Sequence, residues 1–309
     1  MADRYIRSGA ALLIALESNN GEYVDPTKVL PVEAGMGILK PSFDTVDMDP
    51  LSIHQGSKET IVVTEFATVE FEAAMKLPND KDLVDELFKA SGLKREDVDG
   101  GAVYTYDSTT NQSASFKQVA SRVETKTAGA RGDLKISCEA GGVASLSVGI
   151  KSSLVSKTRL GSDAADNAIP STPSYEAVFM TKSCDAYLVN GKSVHLQKVE
   201  LALNAEITQP KSTCPMGAVG VDIKPQLSIT IQDSLENEQG FEDIKNGTEF
   251  NFVIPLFDKA GNKKWEIVAP KCVAIEDNEP DSDGLLMLER TYECRKVDGD
   301  DNFEIRYFD

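Results

Sequence analysis

The chain has 309 residues, 41% of them apolar, enough for one large or two ordinary domains around a real core. Against 32 basic residues stand 50 acidic ones, a net charge of −18. A surface of that sign disfavours specific DNA or RNA binding, which needs Lys and Arg to displace counterions from phosphates. It reads either as a solvated acidic surface or as an acidic wall that a polyanion passes without sticking.

In chain order, Arg4 and Arg7 precede the apolar run Ala10–Leu16, which is short for a signal peptide and is followed by Glu17 without a small-residue cleavage site. No segment reaches the roughly 20 apolar residues that span a bilayer, and the expectation is a protein used without secretion. From Val69, the residues Val69, Phe71, Ala73, Met75 and Leu77 alternate with Glu70, Glu72, Ala74 and Lys76, the period of a half-buried strand. Pro78 stops it. The acidic stretch 79–82 then opens a helix over about residues 80 to 91, with Leu83, Val84, Leu87 and Phe88 at helical spacing and Gly92 as its cap. Strands are expected near Ala102–Tyr106 and Ser115–Val119.

The tripeptide Arg131-Gly132-Asp133 matches a cell-adhesion motif, but it reads here as the polar lead-in of a strand. Leu134, Ile136, Cys138 and Ala140 alternate after it, Ala140-Gly141-Gly142 turns, and Leu146, Val148 and Ile150 return, a hairpin over 133–151. Residues 160–176 have loop composition. Beyond them Val199, Leu201 and Leu203 alternate. Val219, Val221 and Ile223 run up to Pro225, which implies an edge, bend or bulge, and Leu227, Ile229 and Ile231 continue the parity. A short amphipathic helix over about 234–246 ends at Asn246-Gly247, and strands follow at 249–257, 263–268 and 285–307.

Both halves read as a long two-part strand, a helix, then further strands. This order suggests a tandem duplication of one β-rich unit, with an N-terminal arm plus first unit over 1–160, a connection over 161–176 and a second unit over 177–309.

No reactive constellation stands out. His54 and His195 lack a nucleophile-elbow context, and Gly35-Met36-Gly37 lacks the third glycine of a dinucleotide loop. Cys138, Cys184, Cys214, Cys272 and Cys294 show no zinc spacing and read as reduced, mostly buried thiols. The acidic stretches 276–284 and 298–302 miss the ligand spacing and closing Glu of a calcium loop and read as solvated turns. Asn246-Gly247-Thr248 fits a glycosylation sequon, without meaning in an unsecreted chain. The expectation is a structural or binding protein and not an enzyme, with no catalytic, cofactor or metal residues to nominate.

Three stretches carry a resemblance: "ALLIALESNNGEYVDPTKVLPVEAG", "SASFKQVASRVETKTAGARGDLKISCEAGGVASLSVGIKSSL" and "VGVDIKPQLSIT". Together, over about residues 10 to 260, they resemble phage major tail tube proteins. The resemblance implies a mainly β fold, a sandwich or barrel with a flanking helix, whose copies form stacked rings around a channel for DNA ejection. It makes Arg131-Gly132-Asp133 a strand start within a tube subunit, with Gly129 and Gly132 allowing tight backbone geometry. Two units per chain imply a trimeric pseudo-sixfold ring, with six single-unit chains as the alternative. The implied partners are further copies and other tail proteins (tape measure, tail tip, terminator), in a virion tail assembled in the host cytoplasm. DNA transits without specific binding, and no membrane is involved. Glu70, Glu72 and Glu139 oppose the apolar parity and are candidates for the lumen wall, whose residues the sequence leaves unknown. A contractile secretion-type tube subunit, a carbohydrate- or surface-binding β-sandwich and a hydrolase with an unrecognised site are the competing readings.

Overall fold

The computed structural model describes residues 10–30, 32, 39–48, 59–78, 82–109, 112–120, 122–160, 175–180, 186–210, 217–232, 240–278, 281–282 and 285–309. The fold is mainly β, with two α-helices among the described residues. The first half contains β1 (Ala10–Leu16), β2 (Lys28–Val29), β3 (Lys40–Met48), β4 (Glu59–Ala74), β5 (Lys76–Pro78), α1 (Asp82–Ala90), β6 (Leu93–Val98), β7 (Gly101–Tyr106), β8 (Ala114–Ala120), β9 (Val123–Glu139) and β10 (Ser145–Arg159). There follow β11 (Tyr175–Ala177), β12 (Leu188–Val189), β13 (Lys192–Ser193), β14 (Leu196–Ala202), β15 (Glu206–Thr208), β16 (Val219–Asp222) and β17 (Gln226–Gln232). The last elements are α2 (Gly240–Asn246), β18 (Glu249–Phe257), β19 (Lys263–Asn278), β20 (Asp281–Ser282), β21 (Leu285–Cys294) and β22 (Glu304–Phe308).

The clear alternations become strands with the expected face buried: Val69, Phe71, Ala73 and Met75, then Leu146, Val148 and Ile150, then Val199, Leu201 and Leu203. α1 buries Val84, Leu87 and Phe88 at i, i+3 and i+4 and stops at Gly92, whose φ of 85° is open to glycine at little steric cost. Pro225 lies in the break between β16 and β17, as its missing N–H demands.

Several elements depart from expectation. β9 begins at Val123, so Arg131-Gly132-Asp133 lies mid-strand and not at a strand start. Both faces of its first half are covered, including Thr125, Thr127, Ala128 and Ala130, which erases the period-two signal. The hairpin predicted over 133–151 therefore extends over 123–159. β19 runs on to Asn278, so Glu276 and Asp277 stand on a strand and not in a turn, and Asp277 pairs with Arg290 at 3.1 Å. β3 and β6 were not anticipated, being too polar to alternate; β6 exposes Lys94, Glu96 and Asp97. α2 covers 240–246 of the predicted helix, whose earlier residues lie outside the described ones, as does most of the 160–176 connection.

The same order of pairing occurs twice. In the first half β3, β4, β10, β9, β8 and β1 lie side by side. In the second half β14, β17, β21, β19, β18 and β12 do so, in the matching chain order, with α1 and α2 each following the long strand. Among the described strands the halves are joined where β14 pairs with β9 and where β22 pairs with both β7 and β19, and β11 adds a short pairing with β5. Aromatic packing seals the junction at β22. Phe88 and Tyr104 from the first half meet Trp265 at ring distances of 5.8 and 6.2 Å, and Tyr307 stacks edge-on to Trp265 at 5.0 Å. Such rings bury about 150–250 Å² each and dominate local packing energy.

Candidate functional site

Eight strands from both halves run in one series: β3, β4, β10, β9, β14, β17, β21, β19, each antiparallel to the next. Because side chains alternate across a strand, this series has two chemically distinct faces. One is core, built from Phe71, Val148, Ile136, Leu201, Leu227 and Tyr292 and their neighbours. The other is mostly polar, with Phe66, Ala202 and Val273 among its apolar positions. Register places Glu72, Ser147 and Lys135 in one row across β4, β10 and β9. A second row runs from Ser145 and Ser137 through Glu200, Ser228 and Thr291 to Glu276. A third runs Glu139, Lys198, Thr230 and Glu289.

The charges on this face are not balanced. Three of its lysines are engaged: Lys135 pairs with Glu200 at 2.7 Å, Lys198 lies 3.9 Å from the same carboxylate, and Lys151 at the end of the face donates to the Ile207 carbonyl at 2.8 Å; Lys40, beside Thr68 on β3, is exposed. Glu70, Glu72, Glu139, Glu276 and Glu289 remain as carboxylates facing outward, while Glu293 pairs with Arg295 at 3.0 Å. The short side chains zip to one another, Ser137 to Ser145 at 2.8 Å and Ser228 to Thr291 at 3.0 Å. The result is a smooth wall of tied hydroxyls and carboxylates. Glu70, Glu72 and Glu139, picked out by parity alone, stand on it exposed. The hydroxyls and the carboxylates of β14 and β21 were missed, although their parity carried the same signal.

At the end of this face, between the halves, lies a cleft of about 180 Å³ lined by Ser91, Tyr106, Arg131, Ile207, Gly220 and Asp222. Arg131 is buried there, which pulls its guanidinium below the ordinary pKa. Asp133 is pushed above the usual carboxylate range by burial, against backbone N–H groups of Ala205 and Leu134 that favour its ionised form. With Arg131 enclosed and Asp133 accepting from Ala205 at 2.9 Å, the tripeptide is a structural seam between β9 and the segment after β14.

A buried carboxylate organises the neighbouring stretch of β9. Glu17 is 5% exposed and accepts from Ser113 at 2.6 Å, Ser115 at 2.7 Å, and the backbone N–H groups of Gly129 at 2.7 Å and Gly21 at 2.8 Å. This satisfies the charge without a cation, the arrangement a buried carboxylate requires.

The remaining candidates do not converge. His195 is exposed in the loop before β14; His54 and Gly35-Met36-Gly37 lie outside the described residues. Cys138, Cys272 and Cys294 are free and buried, while Cys184 and Cys214 lie outside. Cys272 and Cys294 face each other across β19 and β21 with sulfurs 3.6 Å apart. Their mutual contact and burial push the Cys272 thiol far up, and burial pushes Cys138 up to about 11. The 298–302 stretch is a bend in which Asp301 accepts from Val297 and Asp298, and Asp300 from Ser108. Asn246-Gly247-Thr248 closes α2, with Thr248 N–H bonded to the Asp243 carbonyl. Among the described residues no group of three or more His, Cys, Asp or Glu is placed to hold a metal ion.

No protein-family model matches the chain, and no curated protein matches it by sequence.

Proposed function

We propose that the chain is a structural subunit of a phage tail tube, with the polar face of the eight-strand series turned to the lumen. The observation that carries the reading is the composition of that face. It spans both halves, presents mainly carboxylates and hydroxyls, and ties Lys135 and Lys198 at Glu200 and Lys151 at the Ile207 carbonyl. A wall of that sign repels phosphate and leaves DNA free to slide, whereas unpaired lysines would hold it by counterion release.

The repeated strand order supports a tandem duplication, with the arm and first unit over 1–160 and the second over 177–309. Three such chains form a pseudo-sixfold ring in this reading, and rings stack into a tube within a virion tail, assembled in the host cytoplasm alongside tape measure, tip and terminator proteins. The subunit acts by shape and charge and carries out no catalysis.

The test is electron microscopy of the purified protein at rising concentration. Rings or stacked rods with a central hole and six lobes per ring are expected. A particle that stays monomeric at high concentration with tail-tip nuclei supplied, or that associates without a hole, overturns the reading.

A further inference from the structure

The cleft at the end of the polar face exists because β9 changes neighbours there. On the side of β9 away from β10, β8 pairs as far as Ala130 and β14 begins at Lys135. The chain around β15 and β16 returns over this gap. Ala205 N–H donates to the Asp133 carboxylate at 2.9 Å, and Ala218 N–H to the Gly129 carbonyl at 2.7 Å. Ser91 and Tyr106, at the ends of α1 and β7, line the space that is left, a volume of about 180 Å³. An apolar cavity of roughly 150 Å³ takes up benzene, so this one has room for a ring-sized molecule.

Two cations meet at this volume. Register sets Arg131 directly opposite Lys151 across β9 and β10, so both side chains stand on one face of the sheet. Like charges so placed repel and weaken the pairing of their strands. Lys151 is drawn to the carbonyl of Ile207, a residue that lines the cleft. Arg131 lines it too, with Nη1 3.4 Å from where a Cβ on Gly220 would stand. A guanidinium has five N–H donors, enough to hold its place in the fold and still meet a ligand. Its enclosure from water strengthens any charge interaction made there. The carboxylates of the lining serve their own loops: Asp107 accepts from the Thr109 N–H and hydroxyl at 2.8 and 2.6 Å, and Asp222 from the Ile223 N–H at 2.9 Å.

These features select among anions. The guanidinium fork matches a carboxylate through two parallel N–H···O bonds. A phosphate dianion would bring a second negative charge beside Asp107 and Asp222. Ile207, Val219, Ile223 and the Tyr106 ring add apolar lining that a bare inorganic ion would not use. We propose that the cleft binds a small organic monocarboxylate, its carboxylate on the Arg131 guanidinium and its apolar body against Tyr106, Ile207 and Val219. The site is independent of the tube reading, since every residue in it comes from one copy.

The experiment is ligand-observed NMR of the full-length protein with acetate, 2-methylpropanoate and benzoate, each beside its own amide, and with inorganic phosphate. Saturable binding of at least one acid is expected, about tenfold or more tighter than that of its amide. Arg131→Gln is expected to abolish the difference. Gly220→Val fills the cleft beside the guanidinium and leaves Arg131 in place, since an added Cβ meets Nη1 at ordinary contact distance. It is expected to remove the binding with a wild-type circular dichroism spectrum, and it carries the test if Arg131→Gln does not fold. No saturable binding of any acid, equal binding of acid and amide, or acid binding that survives Gly220→Val overturns the inference. Phosphate binding that excludes the acids does so too, and makes the cleft a phosphate site. Microscopy separates the two proposals. Hollow rings from a protein that binds no acid keep the tube and remove the site; acid binding by a protein that never assembles does the reverse.

Discussion

Gly129 and Gly217 meet backbone to backbone: Ala218 N–H donates to the Gly129 carbonyl at 2.7 Å, and a Cβ added at Gly217 would stand 2.6 Å from the Gly129 Cα. Gly129 also holds a φ of 62° while giving its N–H to Glu17. Each feature excludes a side chain. Gly217→Ala is expected to lose about 2–3 kcal/mol, since the Gly129 backbone it would strike cannot yield without disturbing β9. Urea unfolding measures it, and an unchanged midpoint contradicts the close approach.

Glu17 is the second load on the same spot. Glu17→Ala leaves two buried hydroxyls and two backbone N–H groups without their acceptor. A loss of about 3–5 kcal/mol is expected. Glu17→Gln keeps one acceptor oxygen but turns an NH₂ toward donors, and is expected to lose less than Ala and more than 1 kcal/mol, roughly. Thermal melts of the three proteins order them.

Trp265, the chain's one tryptophan, reports on the seam between the halves. Its burial predicts blue-shifted emission in the folded protein. Because Phe88 and Tyr104 pack against it across the seam, the emission change on unfolding is expected to coincide with the far-ultraviolet circular dichroism transition. Phe88→Ala is expected to cost about 3–5 kcal/mol. Two separate transitions would mean that the halves unfold independently.

Asp133 gives a pH signature. Its folded pKa is raised by burial, so the ionised carboxylate works against the fold. The stability it permits is complete below the unfolded value of about 3.9 and declines as pH rises through the folded value, where the loss levels off. Asp133→Asn keeps an acceptor for the Ala205 N–H and removes that decline. The urea midpoint of the variant relative to wild type should therefore rise between acid and neutral pH; a flat difference contradicts the assignment.

Charge predicts how assembly responds to salt. Copies of a chain of net charge −18 repel one another at low ionic strength. Screening lengths fall from about 20 Å to about 4 Å between 0.02 and 0.5 M salt. Sedimentation should show more assembly at the higher value. Dissociation by salt would point to attraction between unlike charges as the force holding copies together.

Much of the framework was legible because it rests on local pattern. The alternation of Val69 to Met75 and of Leu146 to Ile150, and the helical spacing of Val84, Leu87 and Phe88, are written in neighbouring residues. The first half of β9 was not, because burial on both faces removes alternation. Glu17 could not be placed because three of its four partners lie 96 to 112 residues away. The polar face was half visible: parity singled out Glu70, Glu72 and Glu139, but only long-range register shows that Glu200 and Thr291 belong beside them.

Cys272 and Cys294 face each other on neighbouring strands of one copy, so an oxidant that joined them would staple β19 to β21 and leave association between copies untouched.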